Sequence, residues 1–401
     1  MLEILLNRKV LPLSLSSLIS KTGDFAHDVV FVLITIELLS ADIFMMGVVY
    51  FLRFIPYLFL GPIGGWLSDI FPHKNIMIAN DILRCVVTFL MFTTYISGLL
   101  NIYILIIFSM LMTAGRSLFQ PCFRAWLPTA IDKKQLPAGN SLFQIIEDVS
   151  SISGPLVCSV IIIISDKAWV LLLDSISYFL SVILLIFLQK NPSSSHRAFS
   201  LSRVFFDTKL SICTMHRHNK KLFKVIIGTS LCVLFTAALL RYVLPASILA
   251  IYGDEKLVGY IYSIMAAGTV VGGISYTFII KHTTPLQLMK SWMIYGFMFL
   301  LVSIAIKFSL MATVIFIALL GFSGAIVDIS IITNIQSLSF KNEMGKNYGL
   351  FSTLANTCES LSGLATGILS VIAGGFAFSV MALFIAASAG IMISKLQGVK
   401  E

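Results

Sequence analysis

The sequence predicts an all-α membrane protein whose twelve transmembrane helices form two pseudo-symmetric six-helix bundles. Of its 401 residues, 58% are hydrophobic and 12% are charged, and the mean hydropathy is +0.95. A typical soluble domain carries about 25% charged residues. A helix needs about 20 mostly apolar residues to cross the hydrocarbon layer, and windows of that kind fill the chain. A glycine pattern in the first half also recurs in the second half.

The predicted spans follow one another with short polar connections. They lie at residues 11-36, 44-67, 76-98, 101-120, 140-164, 169-188, 222-249, 257-280, 288-307, 310-332, 347-372 and 376-395. The longest connection divides the chain into a first bundle at 1-188, a basic cytoplasmic linker at 189-221 and a second bundle at 222-401. The linker mixes apolar and basic residues, which predicts an interfacial helix attracted to anionic lipid.

The net charge of +9 reflects membrane topology and does not indicate a nucleic-acid partner. With the N-terminus inside, most Lys and Arg residues fall in cytoplasmic segments, whereas the predicted external loops hold Lys167, Lys256 and Lys307. This asymmetry follows the positive-inside rule. It predicts two cytoplasmic termini in an inner (plasma) membrane, and the first span is too long for a cleaved signal peptide.

Motifs for enzymatic or ATP-driven chemistry are missing from the sequence. It contains no phosphate-binding glycine loop with its lysine, no His/Cys array and no nucleophile-base constellation. The six cysteines are scattered and mostly apolar in context, which predicts neither disulfides nor metal ligation. We therefore expect a protein that is not an enzyme and that needs no cofactor or metal.

The glycine repeat indicates two structurally related halves. Gly61, Gly64 and Gly65 recur about 208 positions later as Gly268, Gly272 and Gly273. Such internal repeats are typical of secondary transporters, which place a midplane site between two bundles. The repeat therefore favours transport driven by a gradient or by the substrate itself.

Short motifs carry a family resemblance over essentially the whole chain. Gly65-x-Leu67-x-Asp69 followed by Lys74 resembles the signature loop between helices two and three of the major facilitator superfamily, and Gly154-Pro155 is similar to the core of its antiporter signature. Other stretches resemble the drug/proton antiporter branch that contains macrolide efflux pumps and the enterobactin exporter. They are Ser20 to Asp24, Asp81-x-x-Arg84, Phe119-Gln120-Pro121, Trp126-Leu127-Pro128 and Gly139-Asn140.

The resemblance implies a cytoplasmic gate near Asp69. Asp69 would contact the cytoplasmic end of the eleventh span near Asn347, where the helix dipole favours a carboxylate by about 0.3 to 1 kcal/mol. The alternative is that Asp69 only caps its own loop. The gate is predicted to contain Gly65, Asp69, Lys74, Arg84 and Arg116, and close helix packing is predicted at Gly154, Pro155, Gly272 and Gly273.

Charged residues inside the first span are the leading candidates for proton or substrate handling. Asp24 and Asp28 share one helix face, with His27 beside them. An ionisable group in a span costs about 2.5 to 3.5 kcal/mol on insertion scales, so each needs a function or a partner. The acids could exchange protons, or they could pair with a base such as Arg53 and fix packing. His27 alone is interpreted as structural.

Further charges extend the predicted pathway through both halves. Glu147 and Asp148 point about 100° apart on the fifth span, and Glu359 holds a corresponding position in the eleventh. Arg53 and Arg241 are the buried cations of the two halves, able to bind an anion or neutralise an acid.

The remaining charged residues are assigned to span ends. Asp81 and Arg84 are interpreted as a surface pair near the cytoplasmic end of the third span. Gate or snorkelling roles are predicted for Arg116, Arg124, Asp174 and Asp328.

These observations predict proton-coupled export of an amphipathic, drug-like small molecule by alternating access. Siderophore export is the alternative substrate assignment, followed by lysophospholipid flipping and by a non-transporting membrane sensor with the same fold. The expected partners are a small-molecule substrate, protons and membrane lipid, with no nucleic acid. We expect a monomer in a bacterial inner membrane.

Overall fold

The described part of the protein is helical throughout. The computed structural model describes residues 7, 9–40, 42–131, 136–188, 215–217, 219–281, 283–339 and 344–397, and these residues contain no strand. The predicted interfacial helix of the linker lies outside the described residues for most of its length.

Six helices make up the first half of the described chain. They are α1 (Leu11–Leu39), α2 (Ile43–Ile70), α3 (His73–Ile96), α4 (Ile102–Ala130), α5 (Leu136–Ile164) and α6 (Ala168–Ile186). The Asn101 side chain caps the start of α4, where it accepts a hydrogen bond from the Ile104 amide. Such a cap satisfies an amide that has no partner within the helix.

The second half is built from further helical elements, one of them interrupted. They are α7 (Lys220–Ala238), a π-helical segment (Leu239–Val243), α8 (Leu244–Tyr252), α9 (Glu255–Ile279), α10 (Pro285–Phe308), α11 (Leu310–Leu338), α12 (Met344–Ala373), a 3-10 turn (Gly374–Phe376) and α13 (Ala377–Gln397). The first three follow one another without a break and correspond to the predicted seventh span.

Nine helical stretches of the described residues are long and apolar enough to cross a membrane. The long helix α1 is not among them because it carries Lys21, Asp24 and Asp28 within its central turns. For α2, the part whose side chains are described gives an apolar stretch at Ile43–Tyr57. The twelve-span topology with cytoplasmic termini therefore stays a prediction.

The described residues fall into two compact units. The first unit comprises those of Met1–Ser40, Leu52–Phe199 and Glu255–Ser263, and the second comprises those of Ala41–Phe51, Ser200–Asp254 and Ile264–Glu401. The units largely follow the two sequence halves, but part of α2 belongs to the second unit and part of α9 to the first. The predicted domain limits at 188 and 222 stay a prediction.

Helix packing within each unit follows the same scheme. In the first unit, α1 packs on α5 and α6, and α3 packs on α4 and α6. In the second unit, α7 packs on α12 and α13, and α10 packs on α11 and α13. The same order of contacts at corresponding helices is what an internal structural repeat produces.

Glycines allow close backbone contacts at some of the predicted packing positions. A Cβ on Gly154 would lie 2.5 Å from the Phe25 Cβ, and one on Gly272 would lie 2.4 Å from the Phe322 carbonyl oxygen. The Pro155 carbonyl oxygen lies 2.8 Å from the Cβ position of Gly259. Gly273 has no such neighbour within 4 Å among the described residues, and its predicted packing role stays a prediction.

Candidate functional site

A small, partly open cavity in the first unit collects the charged residues of several helices. Its volume is about 20 Å³, which is room for about one water molecule. α1, α2, α3, α4 and α6 contribute its lining, which consists of Asp24, His27, Asp28, Arg53, Phe54, Tyr57, Arg84, Met112, Thr113, Arg116 and Tyr178. The cavity suits a water or proton pathway better than a bulky substrate in this conformation.

Asp28 forms an ion pair with Arg53 across α1 and α2. The Arg53 Nη2 to Asp28 Oδ1 distance is 2.5 Å, and the guanidinium lies over the Phe31 ring, 4.2 Å from its centroid. The structure thus brings together two residues that the sequence assigned to the pathway. It also realises the alternative in which Arg53 neutralises an acid of the first span.

Asp24 is held by a different set of partners. The Tyr178 hydroxyl donates a hydrogen bond to the Asp24 carboxylate, and an Arg84 nitrogen lies 3.7 Å from Asp24 Oδ2. Asp24 and Asp28 therefore share a helix, as predicted, but each carboxylate has its own cation. They do not act as one acid pair in this structure.

Asp81 and Arg84 form an ion pair in the interior, which corrects the predicted surface pair. Asp81 is 0% exposed and Arg84 is 3% exposed, and the two side chains are in direct contact. The Ser181 hydroxyl donates to Asp81 Oδ2 at 2.5 Å. Hydropathy along the chain cannot reveal such burial, because it depends on which face of α3 packs against α6.

Arg84 and Arg116 line the cavity, and their predicted place in a cytoplasmic gate stays a prediction. Arg84 lies between the rings of Tyr178 and Phe119, at 4.4 Å and 4.9 Å from their centroids. Arg116 lines the cavity on α4 and forms no direct ion pair within the described part of the chain. Three guanidinium groups, counting Arg53, thus border one small space.

His27 and Asp174 form a further charged pair. His27 Nδ1 lies 3.0 Å from Asp174 Oδ2, and the side chains are 3% and 0% exposed. Their orientation does not meet hydrogen-bond geometry, so the contact is an ion-pair distance only. Asp174 was predicted near a span end with a gate or snorkelling role. It lies in the second turn of α6, and its complete burial does not suit snorkelling.

The sequence of α6 contains a row of polar residues from which the burial of Asp174 beside His27 could have been predicted. Asp174, Ser177, Tyr178 and Ser181 recur at helical spacing, and all four are buried. Polar residues at i, i+3, i+4 and i+7 in an apolar helix mark a face that meets polar partners. Tyr178 belongs to this polar face and was missed as a site residue because the spacing of the four residues was not used in the prediction.

The acids of α5 have separate partners. Lys21 Nζ lies 2.8 Å from Glu147 Oε2, whereas Asp148 accepts a hydrogen bond from Gln144 at 3.0 Å. This divergence fits the predicted angle between adjacent residues on a helix. Their predicted part in a proton or substrate pathway stays a prediction.

In the second unit, the predicted residues Arg241 and Glu359 are in direct contact. Arg241 lies in the π-helical segment, and its backbone carbonyl accepts a hydrogen bond from the Tyr50 hydroxyl at 3.2 Å. The rings of Tyr50 and Tyr242 stack at 4.9 Å. Single-turn π segments occur frequently at functional sites, which supports a role for this pair.

Of the signature-loop residues predicted to form the gate, only Lys74 has described side-chain contacts. Gly65 and Asp69 lie on α2, but the surroundings of their side chains are outside the described residues. Lys74 Nζ donates to the carbonyl oxygens of Ile186 and Leu188, at 2.5 Å and 2.8 Å. Lys74 therefore caps the end of α6, where a cation is favourable.

A polar cluster around Lys167 was not predicted from the sequence. Lys167 Nζ lies 2.9 Å from Glu37 Oε2 and 2.6 Å from Glu255 Oε1, and the Tyr95 hydroxyl donates to Glu37 at 3.0 Å. Burial alone lowers the pKa of Lys167, but the hydrogen bonds to Glu255 and Glu37 outweigh it and the pKa is raised. Lys167 therefore remains charged throughout the physiological range.

Replacing Lys167 with Met should lower the melting temperature of the purified protein in detergent by the same amount from about pH 6 to 9. A raised lysine pKa means that the stabilisation is complete below the unfolded-state pKa and is lost only as the pH rises through the folded-state pKa. Lys281→Met, at an exposed position, is the matched control. A Lys167 effect that disappeared below about pH 9 would contradict this account.

Metal binding finds no support in the described residues, where no group of three or more His, Cys, Asp or Glu side chains is placed to hold an ion. The described cysteines are unbridged.

Comparison with known proteins identifies the relatives of this architecture. Residues 13–363 match a family described as Major Facilitator Superfamily. The uncharacterized MFS-type transporter YfiS of Bacillus subtilis (strain 168) is 27% identical over 176 residues, which cover 44% of this chain and 41% of that protein. The match thus spans less than half of that relative.

Solved structures share the fold over nearly the whole chain. A variant of the nucleoside transporter NupG superposes with a TM-score of 0.75 at 14% identity, covering 98% of this chain and 99% of that one. A bacterial homologue of the iron transporter ferroportin in an inward-facing state gives 0.76 at 13% identity, covering 98% and 100%. At such identities the similarity concerns the fold alone.

Proposed function

The chain is a member of the Major Facilitator Superfamily, and from this premise we propose that it exports an amphipathic small molecule in exchange for protons. In this cycle, protons from outside load the buried acids, the substrate leaves outward, and the return to the inward state releases the protons inside. The substrate class, the coupling ion and the direction are parts of this proposal. So are a monomeric state and a bacterial inner membrane.

The observation that carries the proton coupling is the water-sized cavity of the first unit. It brings Asp24 and Asp28 to one small space together with Arg53, Arg84 and Arg116. Intramembrane ionisable residues of this kind commonly mark ion or proton pathways. A cavity that holds about one water supplies a carrier through which a proton can reach the carboxylates.

The second unit supports a separate role in substrate contact. The Arg241 and Glu359 side chains are 33% and 22% exposed, so their ion pair is accessible, unlike the buried Asp81 and Arg84. A partly exposed ion pair can exchange one partner for a charged group of a ligand at modest cost. The π segment places Arg241 at a point where the regular helix is interrupted.

An anionic siderophore is the second candidate substrate. Three guanidinium groups border the same cavity, and guanidinium groups bind oxyanions through paired hydrogen bonds. A wider conformation of this cavity would offer such contacts to a carboxylate or catecholate.

Transport by the purified protein in proteoliposomes tests the proposal. Counterflow of ethidium, tetraphenylphosphonium and a catecholate siderophore would distinguish the two substrate classes. Saturable flux of the amphipathic cations supports drug-like export, and flux of the catecholate alone supports the siderophore. The absence of flux for every probe would favour a lysophospholipid flippase or a non-transporting sensor and would overturn the proposal as stated.

For coupling, we expect Asp24→Asn and Asp28→Asn to abolish ethidium uptake driven by an acidic interior in inverted membrane vesicles. Each amide removes one carboxylate from the cavity, next to Arg84 in the first variant and next to Arg53 in the second. The matched control is Asp42→Asn at the exposed start of α2, where Asp42 accepts hydrogen bonds from two backbone amides. Asparagine caps helices equally well, so this variant should keep wild-type uptake. Wild-type uptake in both cavity variants would contradict their proposed role.

A further inference from the structure

The charges of the cavity region in the first unit do not balance among arginines and aspartates alone. The described cluster holds three guanidinium groups and four carboxylates, namely Arg53, Arg84 and Arg116 with Asp24, Asp28, Asp81 and Asp174. Arginines remain protonated in proteins. With every aspartate ionised, the cluster carries one excess negative charge unless another group takes up a proton.

Asp174 is the carboxylate whose closest ionisable partner is not an arginine. Arg53 contacts Asp28, and Arg84 contacts Asp81 and approaches Asp24. Asp174 is fully buried, and His27 Nδ1 lies 3.0 Å from its Oδ2. An uncompensated carboxylate in such a position is costly. Protonation of His27 supplies the missing positive charge.

His27 also has access to the cavity. The residue lines the cavity and is 2% exposed, and neither ring nitrogen has a hydrogen-bond partner among the described residues. A buried polar atom without a partner needs an explanation, and a bound water is one such explanation. The cavity that His27 lines has room for one water.

We propose that His27, paired with Asp174, binds the proton that drives transport, a role that rests on the proposed function. In the unloaded state, neutral His27 carries its hydrogen on Nδ1, the nitrogen that lies 3.0 Å from Asp174 Oδ2, and the cluster has a net charge of −1 on the count above. A hydronium ion in the cavity transfers its proton to the Nε2 lone pair and becomes water. His27 is then an imidazolium, and the cluster is neutral.

The neighbouring charged groups are already committed to other contacts. Asp24 accepts from Tyr178, Asp28 pairs with Arg53, and Asp81 pairs with Arg84 and accepts from Ser181. Tyr57 and Arg116 complete the titratable or charged lining of the cavity. Histidine is the side chain whose charge changes most readily between about pH 5 and 8, so it suits a proton that must bind and leave.

Nuclear magnetic resonance of the full-length protein with nitrogen-15-labelled histidine tests the site without any substrate. The His27 signal, assigned by its loss in His27→Gln, should change from cationic to neutral as the pH rises from about 5 to 8. In Asp174→Asn, three arginines face three aspartates, so His27 should stay neutral over the same range. His216→Gln, outside the cluster, should leave the His27 titration unchanged.

A His27 imidazole that stays in one charge state from about pH 5 to 8, or one that titrates identically in Asp174→Asn, would overturn the proposal.

The coupling role has its own readout in ethidium transport. His27→Gln should keep counterflow, which needs no net proton movement, and should lose accumulation driven by the pH gradient. Wild-type accumulation in this variant would overturn the role. If the wild-type protein transports no probe, the proposed function fails, and the histidine titration still decides whether the pair binds a proton.

Discussion

Arg84→Met should lower the free energy of unfolding by about 3–5 kcal/mol, the usual result of removing one partner from a buried ion pair. Methionine fills a similar volume but leaves Asp81, which is fully buried, with the Ser181 hydroxyl as its remaining hydrogen-bond donor among the described residues. Asp24 loses a cation at the same time. Thermal unfolding of the purified protein in detergent would measure the loss.

Two further variants make this result specific. Arg217→Met removes an exposed guanidinium and should change stability by less than about 0.5 kcal/mol. Adding Asp81→Asn to Arg84→Met removes the stranded carboxylate and should recover part of the loss, with Asp24 accounting for the remainder. Equal destabilisation by Arg84→Met and Arg217→Met, or no recovery in the double variant, would contradict the buried-pair interpretation.

Gly272→Ala and Gly273→Ala should have opposite effects on stability although the residues are adjacent. At Gly272, the added methyl carbon would lie 2.4 Å from the Phe322 carbonyl oxygen and 3.0 Å from the Ala325 Cβ. α9 and α11 would have to separate, and such overpacking typically costs about 1–3 kcal/mol. The new methyl at Gly273 meets no atom within 4 Å in the part of the chain that the structure describes, and alanine favours a helix over glycine by up to about 1 kcal/mol.

Each variant of this pair serves as the control for the other, because both add one methyl group at adjacent positions of the same helix. Melting temperatures in the same detergent would compare them directly. A lower melting temperature for Gly273→Ala than for Gly272→Ala would show that close approach of α9 and α11 is not what Gly272 provides.

The sequence was a good guide to the position of the helices. The window predicted at 310-332 corresponds to α11, Leu310–Leu338, and the one at 140-164 to α5, Leu136–Ile164. Hydropathy works here because a long apolar segment has few alternatives to a helix in a membrane. The π segment could not be predicted, since one wider turn leaves no periodic mark in the sequence.

Residue identities at the candidate site were easier to predict than their partners. Asp24, Asp28 and Arg53 were predicted because a charged residue in an apolar span stands out in the sequence. In the structure, all three line one cavity. Pairing depends instead on how each helix is rotated against its neighbours. For that reason the burial of Asp174 and Arg84 within the first unit was not predicted.

The π segment gives the helix α7 to α8 one residue more than a continuous α-helix would need. A π turn accommodates one residue more than the α-helical turns around it, so deleting one residue within Leu239–Val243 would restore a continuous α-helix. The side chains of α8 would keep their orientation relative to α7, because only the extra residue is removed. Arg241 lies inside the segment, and its direction toward Glu359 would change. A one-residue deletion here should therefore preserve the helix packing and disturb the Arg241–Glu359 pair.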